Sequence, residues 1–195
     1  EVSERIATIT LNRPEARNAL SSEVLRLLPE RLKQADADPE VDVVILTGTD
    51  PAFCAGLDLK ELGSTAGNLG ATGADGRPNA DGVRGPFPAM VKPLIGAVNG
   101  VAITGGFELA LNCDFLVASE RAKFGELFVL RGLCSDVAGM GRLAQLVGRE
   151  RAAELLFTGD VIDAATAERW GLVSRVVDHD DLLPTAMALA EKIAS

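Results

Sequence analysis

Pro93-Leu94-Ile95-Gly96-Ala97-Val98, then Thr104-Gly105-Gly106-Phe107-Glu108-Leu109-Ala110-Leu111, then Asp114-Phe115-Leu116-Val117-Ala118 is the run that decides the fold. The first and third pieces are short and apolar, as buried strands are, and the middle piece opens a helix after a Gly-rich turn. Strand, helix and strand in succession imply an α/β fold. Upstream, Arg5-Ile6-Ala7-Thr8-Ile9-Thr10-Leu11-Asn12 alternates apolar and polar residues like a half-buried strand, and Val41-Asp42-Val43-Val44-Ile45-Leu46-Thr47-Gly48 reads as a buried one. The turn-rich Thr49-Asp50-Pro51 and then Phe53-Cys54-Ala55-Gly56-Leu57-Asp58-Leu59 follow it, so that the whole stretch reads as strand, loop and helix. Between them, Val24, Leu27, Leu28 and Leu32 have helical spacing over residues 20–35, where Pro29 is expected to kink the helix or delay its start.

From Gly139 onward the pattern is mostly helical, over 141–147, 151–157, 164–169 and 181–193, with one strand over 172–177. The strand, turn and helix order near residues 6, 43, 94 and 114 fits a spiral of related units. We assign 1–140 to the α/β core with the site and 141–195 to a helical C-terminal region. Residues 63–88 are dominated by Gly, Ala, Asp, Asn and Pro, and such a composition predicts a mobile surface segment.

The 195 residues, 47% of them hydrophobic, can bury the core of one compact domain. A net charge of −9 excludes the dense Lys/Arg surface that a nucleic-acid partner requires. Cys54, Cys113 and Cys134 are odd in number and widely spaced, so neither a disulfide framework nor a metal cluster is expected, and the thiols are expected to be reduced and structural. No run approaches the roughly 20 apolar residues of a membrane span, and the first residues lack a signal-peptide layout, so a cytoplasmic location is the expectation.

The Gly-rich turn from Asn99 to Glu108 fails as a phosphate loop. Gly100 and Gly105 have Walker A spacing, but Gly106-Phe107 stands where Lys-Ser/Thr is needed. What remains is a helix N-terminus whose unpaired N–H groups, at Gly105 and its neighbours, favour developing negative charge. Glu108 lies one turn on, and helical side chains lean toward the N-terminus, so its carboxylate can hang near whatever Gly105 binds. The turn Ala55-Gly56-Leu57-Asp58 offers a second free N–H at Leu57. Two such donors can form an oxyanion hole; the alternative is that both turns only permit close packing.

Phe53-Cys54-Ala55-Gly56-Leu57-Asp58-Leu59 and Ala97-Val98-Asn99-Gly100 through Glu108-Leu109-Ala110 resemble the two oxyanion-hole segments of the crotonase (enoyl-CoA hydratase/isomerase) superfamily. Arg13-Pro14-Glu15-Ala16-Arg17-Asn18-Ala19-Leu20 is similar to its CoA-binding turn, and Thr158-Gly159 through Gly171-Leu172-Val173 to its later helical region. The resemblance implies a spiral of ββα units with a C-terminal helical region truncated relative to the family. It implies an acyl-CoA substrate, with coenzyme A part of that substrate and no separate cofactor, and a homotrimer or dimer of trimers. It also implies that Leu57 and Gly105 donate to the thioester oxygen, that Glu108 is a catalytic carboxylate, and that Ala16, Arg17, Ala55, Asp58 and Leu59 line CoA, with Arg13 assisting.

One departure matters. Counting from Phe124-Gly125, Phe128 occupies the place of the hydratases' second glutamate, and a phenyl ring can neither hold nor deprotonate water. Glu126, which shares a face with Phe128 if that segment is extended, is a lesser substitute. Asp136 stands where isomerase branches of the superfamily resemble this chain, although it is also placed to cap the helix that follows. Isomerisation with Glu108 and Asp136, and Phe128 shaping a dry acyl pocket, is therefore expected over hydration. Thioester hydrolysis, decarboxylation and non-catalytic CoA binding remain the alternatives. His179, in the acidic turn 178–181, reads as a surface residue with no nucleophile to serve, and Trp170 as core packing.

Overall fold

The computed structural model describes residues 1–64, 87–135 and 138–195, with the backbone alone for 62–64. The segment 63–88 falls almost wholly outside the described residues, and so does Asp136. In chain order the elements begin β1 (Val2–Ser3), β2 (Ile6–Leu11), α1 (Ser22–Ala37), β3 (Val43–Gly48), β4 (Ala52–Cys54), α2 (Leu59–Ser64), β5 (Leu94–Val98), β6 (Val101–Ile103) and α3 (Gly105–Leu111). They continue β7 (Phe115–Ser119), β8 (Lys123–Gly125), α4 (Arg142–Val147), α5 (Arg149–Thr158), β9 (Val161–Asp163), α6 (Ala164–Trp170), β10 (Arg175–Val177) and α7 (Leu182–Ala194).

β1, β2, β3, β5, β7 and β10 form a six-stranded sheet in that order, parallel apart from the β1–β2 pair. β4, β6, β8 and β9 form a second sheet, parallel apart from β8–β9. The units that start at β3, β5 and β7 each give one strand to each sheet, which is the expected α/β spiral. The second strand of each unit is three residues long, too short for alternation to register in the sequence.

Alternation along the first sheet separates two cores. Val43, Ile45, Ile95, Ala97 and Val117 face α7, whose Leu182, Ala186 and Ala190 repeat every fourth residue. Val44, Leu46, Leu94, Val98, Leu116 and Ala118 face the other way, toward α1, α3 and the second sheet. With each fully buried large aliphatic side chain worth about 1.5–3 kcal/mol, these two faces hold the strands in register.

α1 starts where Ser21 accepts the Val24 N–H at 3.2 Å. It runs through Pro29 without interruption rather than starting late, because Leu28, Leu32 and Ala35 bury its inner face on both sides of the proline. The strand expected over 172–177 is shortened to β10: the Leu172 N–H is committed to the Ala167 carbonyl at 2.9 Å, closing α6, while Leu172 and Val173 enter the core as loop. β9 interrupts the C-terminal helices where no strand was expected.

Asn18 fastens the loop after β2 to the loop before β4. It is buried, takes the left-handed conformation at φ 55, accepts the Arg13 N–H at 2.8 Å and donates to the carbonyls of Thr49 and Ala52 at 2.8 and 2.7 Å. Asn18→Ala leaves an N–H and two carbonyls without these partners and is expected to cost roughly 2–4 kcal/mol in urea unfolding. A loss under about 0.5 kcal/mol, below the net worth of one hydrogen bond, contradicts the role given to this side chain.

Candidate active site

β4, β6 and β8 are parallel neighbours, with Cys54 beside Ala102 and Ile103 beside Gly125, so all three strands end at one edge. In α/β proteins that edge is where ligands bind. After β4 comes the turn of residues 55–58, after β6 comes Thr104 and the start of α3, and after β8 comes Glu126.

Leu57 forms an isolated bridge with Leu20: the Leu20 N–H donates to the Gly56 carbonyl at 2.8 Å, and the Asp58 N–H donates to the Leu20 carbonyl at 3.0 Å. In such a bridge the N–H of the middle residue points to the opposite side. Gly105 lies close by: an added Cβ on it would stand 3.8 Å from the Leu57 nitrogen. Gly105 is the first residue of α3, so its N–H has no acceptor within the helix. Leu57 and Gly105, the two residues expected to donate, are thus neighbours.

The packing reading of the glycines holds at the same time. Gly56 has φ 88 and a Cβ there would meet the Thr104 hydroxyl, while a Cβ on Gly106 would run into the Cys54 carbonyl, whose carbon lies 2.6 Å away. Thr104 itself turns the chain from β6 into α3 at φ 50 and ψ −127, an uncommon conformation for a β-branched residue. Its N–H donates to the Gly125 carbonyl at 2.9 Å, which ties the second strand end to the third.

Glu108 is 3% exposed between the buried Phe107 and Leu109, as its flanks suggested. Its Oε1 accepts the Ser135 hydroxyl at 2.5 Å and the Ala138 N–H at 3.4 Å. Nothing in the sequence marked Ser135. Glu126 and Phe128 do not share a face, because the chain leaves β8 into a 3-10 turn, Leu127–Arg131, instead of continuing extended. Glu126 is therefore fully buried beside Glu108, and Phe128 turns half-buried toward the cleft. Burial first, and the Glu108 charge second, push the Glu126 carboxyl up to about 9.

A cleft of about 550 Å³ opens at this edge. Ala16, Arg17, Ala55, Asp58 and Leu59 all line it, with Leu57, Thr104 and Phe128. Gly105 and Glu108 are not part of the lining; they follow Thr104 into α3. Asp58 pairs with Arg13 at 3.0 Å, and that hydrogen bond holds its carboxyl below the ordinary carboxylate value. Arg13 also donates to the Ala19 carbonyl at 2.7 Å, so the pair stiffens the wall. Arg17, Lys60 and Arg131 line the same cleft and take no salt bridge among the described residues, which leaves local positive charge on an acidic protein.

Away from the cleft, His179 corrects its surface assignment. Its ring is mostly buried, Nε2 meets Asp50 at 2.9 Å and Nδ1 meets the Ser119 hydroxyl at 3.1 Å. Ser119 is fully buried and lines none of the described cavities, so this trio ties the 178–181 turn to the sheet rather than presenting a nucleophile. Cys54 and Cys113 are buried, and burial pushes the Cys54 thiol up to about 12; Cys134 is exposed, not structural as expected. Trp170 packs against the core with Arg151 above its ring at 5.2 Å. Among the described residues no helix is long and apolar enough to cross a membrane, and no cluster of potential metal ligands occurs.

The match to known proteins covers the same ground. The chain belongs to the enoyl-CoA hydratase/isomerase family, whose model matches residues 1–195, and so to the crotonase superfamily of acyl-CoA enzymes. It is 45% identical over 202 residues to a probable enoyl-CoA hydratase of Rhizobium meliloti, covering 100% of this chain and 74% of that protein. It is 44% identical over 193 residues to a probable enoyl-CoA hydratase of Mycobacterium leprae, covering 98% and 72%. The crystal structure of enoyl-CoA hydratase from Mycobacterium tuberculosis H37Rv superposes with a TM-score of 0.87 at 48% identity, over 99% of this chain and 80% of that one.

Proposed function

We propose that this protein binds a 2-enoyl-CoA thioester with its carbonyl oxygen between the N–H groups of Leu57 and Gly105, and that Glu108 moves the proton while the enolate is held there. The observation that supports this reading is the closeness of Leu57 and Gly105 at neighbouring strand ends, with no acceptor for either N–H among the described residues and a buried carboxylate one helical turn on from Gly105. Preorganised donors at a developing oxyanion are worth roughly 10²–10³ in rate for each one. The phosphates of CoA are assigned to Arg17, Lys60 and Arg131, and Asp58 acts by keeping Arg13 in place rather than by meeting the ligand alone.

Water addition is the reaction that the names of the relatives favour. Double-bond migration is the second reading, and Phe128 is what favours it: an apolar ring lines the cleft where hydration needs a group that holds water. Asp136, the second group in that reading, lies outside the described residues.

Incubating the protein with crotonyl-CoA, a longer 2-enoyl-CoA and a 3-enoyl-CoA, then weighing the products, separates these. A product heavier by one water supports hydration. Unchanged mass with altered retention supports isomerisation, and free CoA identifies a hydrolase. No change across the panel contradicts the enzymatic reading altogether.

A further inference from the structure

Glu126 is the buried titratable group that the reading above leaves unused. It is 0% exposed, and neither carboxyl oxygen has a hydrogen-bond partner among the described residues. A carboxylate in that condition costs several kcal/mol to desolvate, so it survives in a fold only if it is neutral or if something compensates it. No Lys, Arg or His among the described residues pairs with it; the charged group acting on it is Glu108.

The backbone explains why the two carboxyls meet. Glu126 follows β8 directly, and Glu108 stands on the helix that follows β6, the adjacent parallel strand, with the Thr104 N–H on the Gly125 carbonyl locking the two exits together. From the far side Gly139 closes the pocket: a Cβ there would run into both the Ser135 hydroxyl oxygen and Glu126 Oε1. Ser135 in turn donates to Glu108 Oε1 at 2.5 Å. Glu108, Ser135 and Glu126 thus crowd into one space sealed by a glycine.

We propose that Glu126 is a positioning residue that holds a proton beside Glu108, so that the buried pair carries a single negative charge and Glu108 is the member that bears it. This rests on the reading of Glu108 as the acid/base group. Two carboxyls in one low-dielectric pocket cannot both ionise cheaply, and the one with no donor aimed at it keeps the proton. Glu108 has the Ser135 hydroxyl and the Ala138 N–H; Glu126 has neither. When Glu108 takes a proton from the substrate both carboxyls are neutral, and returning it restores the single charge, so no step places two charges in the pocket. Above about pH 9 Glu126 loses its proton, and the pocket then holds a second charge.

Infrared spectroscopy of the wild-type protein near pH 7 is expected to show the carbonyl stretch of a protonated carboxylic acid free of hydrogen bonds. The band disappears in Glu126→Gln and fades in the wild type as pH rises through about 9. In kinetics with crotonyl-CoA, a break in the pH profile of kcat/KM near that pH is expected in the wild type and absent in Glu126→Gln. A residue that only fills space would lower kcat/KM by the same factor at every pH. Absence of the band in the wild type overturns the proposal, and so does a pH profile that keeps the break near 9 in a folded Glu126→Gln. Should Glu108→Gln prove fully active while the band is present, the acid/base reading fails and the proton on Glu126 stands.

Discussion

Glu108→Gln is expected to lower kcat on an enoyl-CoA by roughly 10²–10⁴-fold, the range for removing a general acid/base, with KM changed little. The amide has the shape of the carboxylate and still accepts the Ser135 hydroxyl, so the buried pocket keeps its hydrogen bond and the fold is retained. What is lost is the ability to take and return a proton. Because the proposed oxyanion donors are main-chain groups of Leu57 and Gly105, no side-chain exchange deletes them, and Glu108 becomes the strongest single chemical lever in the proposed site. A loss of less than about tenfold would show that another group does the proton work.

The second large effect comes from a methyl group. Gly106→Ala places a Cβ against the Cys54 carbonyl, a backbone atom that cannot swing aside. α3 cannot retreat either, since Phe107, Leu109, Ala110 and Leu111 are all buried in the core. Overpacking of this kind costs roughly 1–3 kcal/mol. The chemical penalty is expected to be greater: the methyl wedges the helix start away from β4, and hence Gly105 from Leu57, and about 1 Å of misplacement can cost 10²-fold in rate. Urea unfolding and kcat/KM should both report the change, while Gly141→Ala, where a Cβ meets nothing within 4 Å, serves as the matched control. Equal behaviour of the two alanine variants would mean that the β4–α3 contact does not set the distance between the donors.

The large apolar strands, the α/β class and the helix at Gly105 were legible in the sequence because each is announced by local periodicity or by a glycine turn. So were the two glycine turns, and the five residues that the family resemblance proposes for CoA line the cleft together with Leu57, while Gly105 lies behind Thr104. What local patterns could not deliver were the partnerships between distant residues. Glu126 looked extended and aligned with Phe128, yet a 3-10 turn after β8 sends one inward and the other to the cleft. Ser135, 27 residues from Glu108, gave no local sign of its bond, and His179 read as surface until the sheet brought Ser119 and Asp50 to it. The short strands β4, β6, β8 and β9 carry no legible period, because each is three residues long.

The three neighbouring strand ends differ in what they contribute. β4 and β6 each present main-chain hydrogen, a group that every residue but proline carries and that no codon change short of proline removes. β8 delivers side chains, Glu126 and Phe128, which any mutation can exchange. In the proposed mechanism the molecule therefore has a hard-wired half, assigned to the carbonyl, and an interchangeable half beside it. A designer who wants a new reaction from this scaffold should leave the first two exits alone and draw a library across the third.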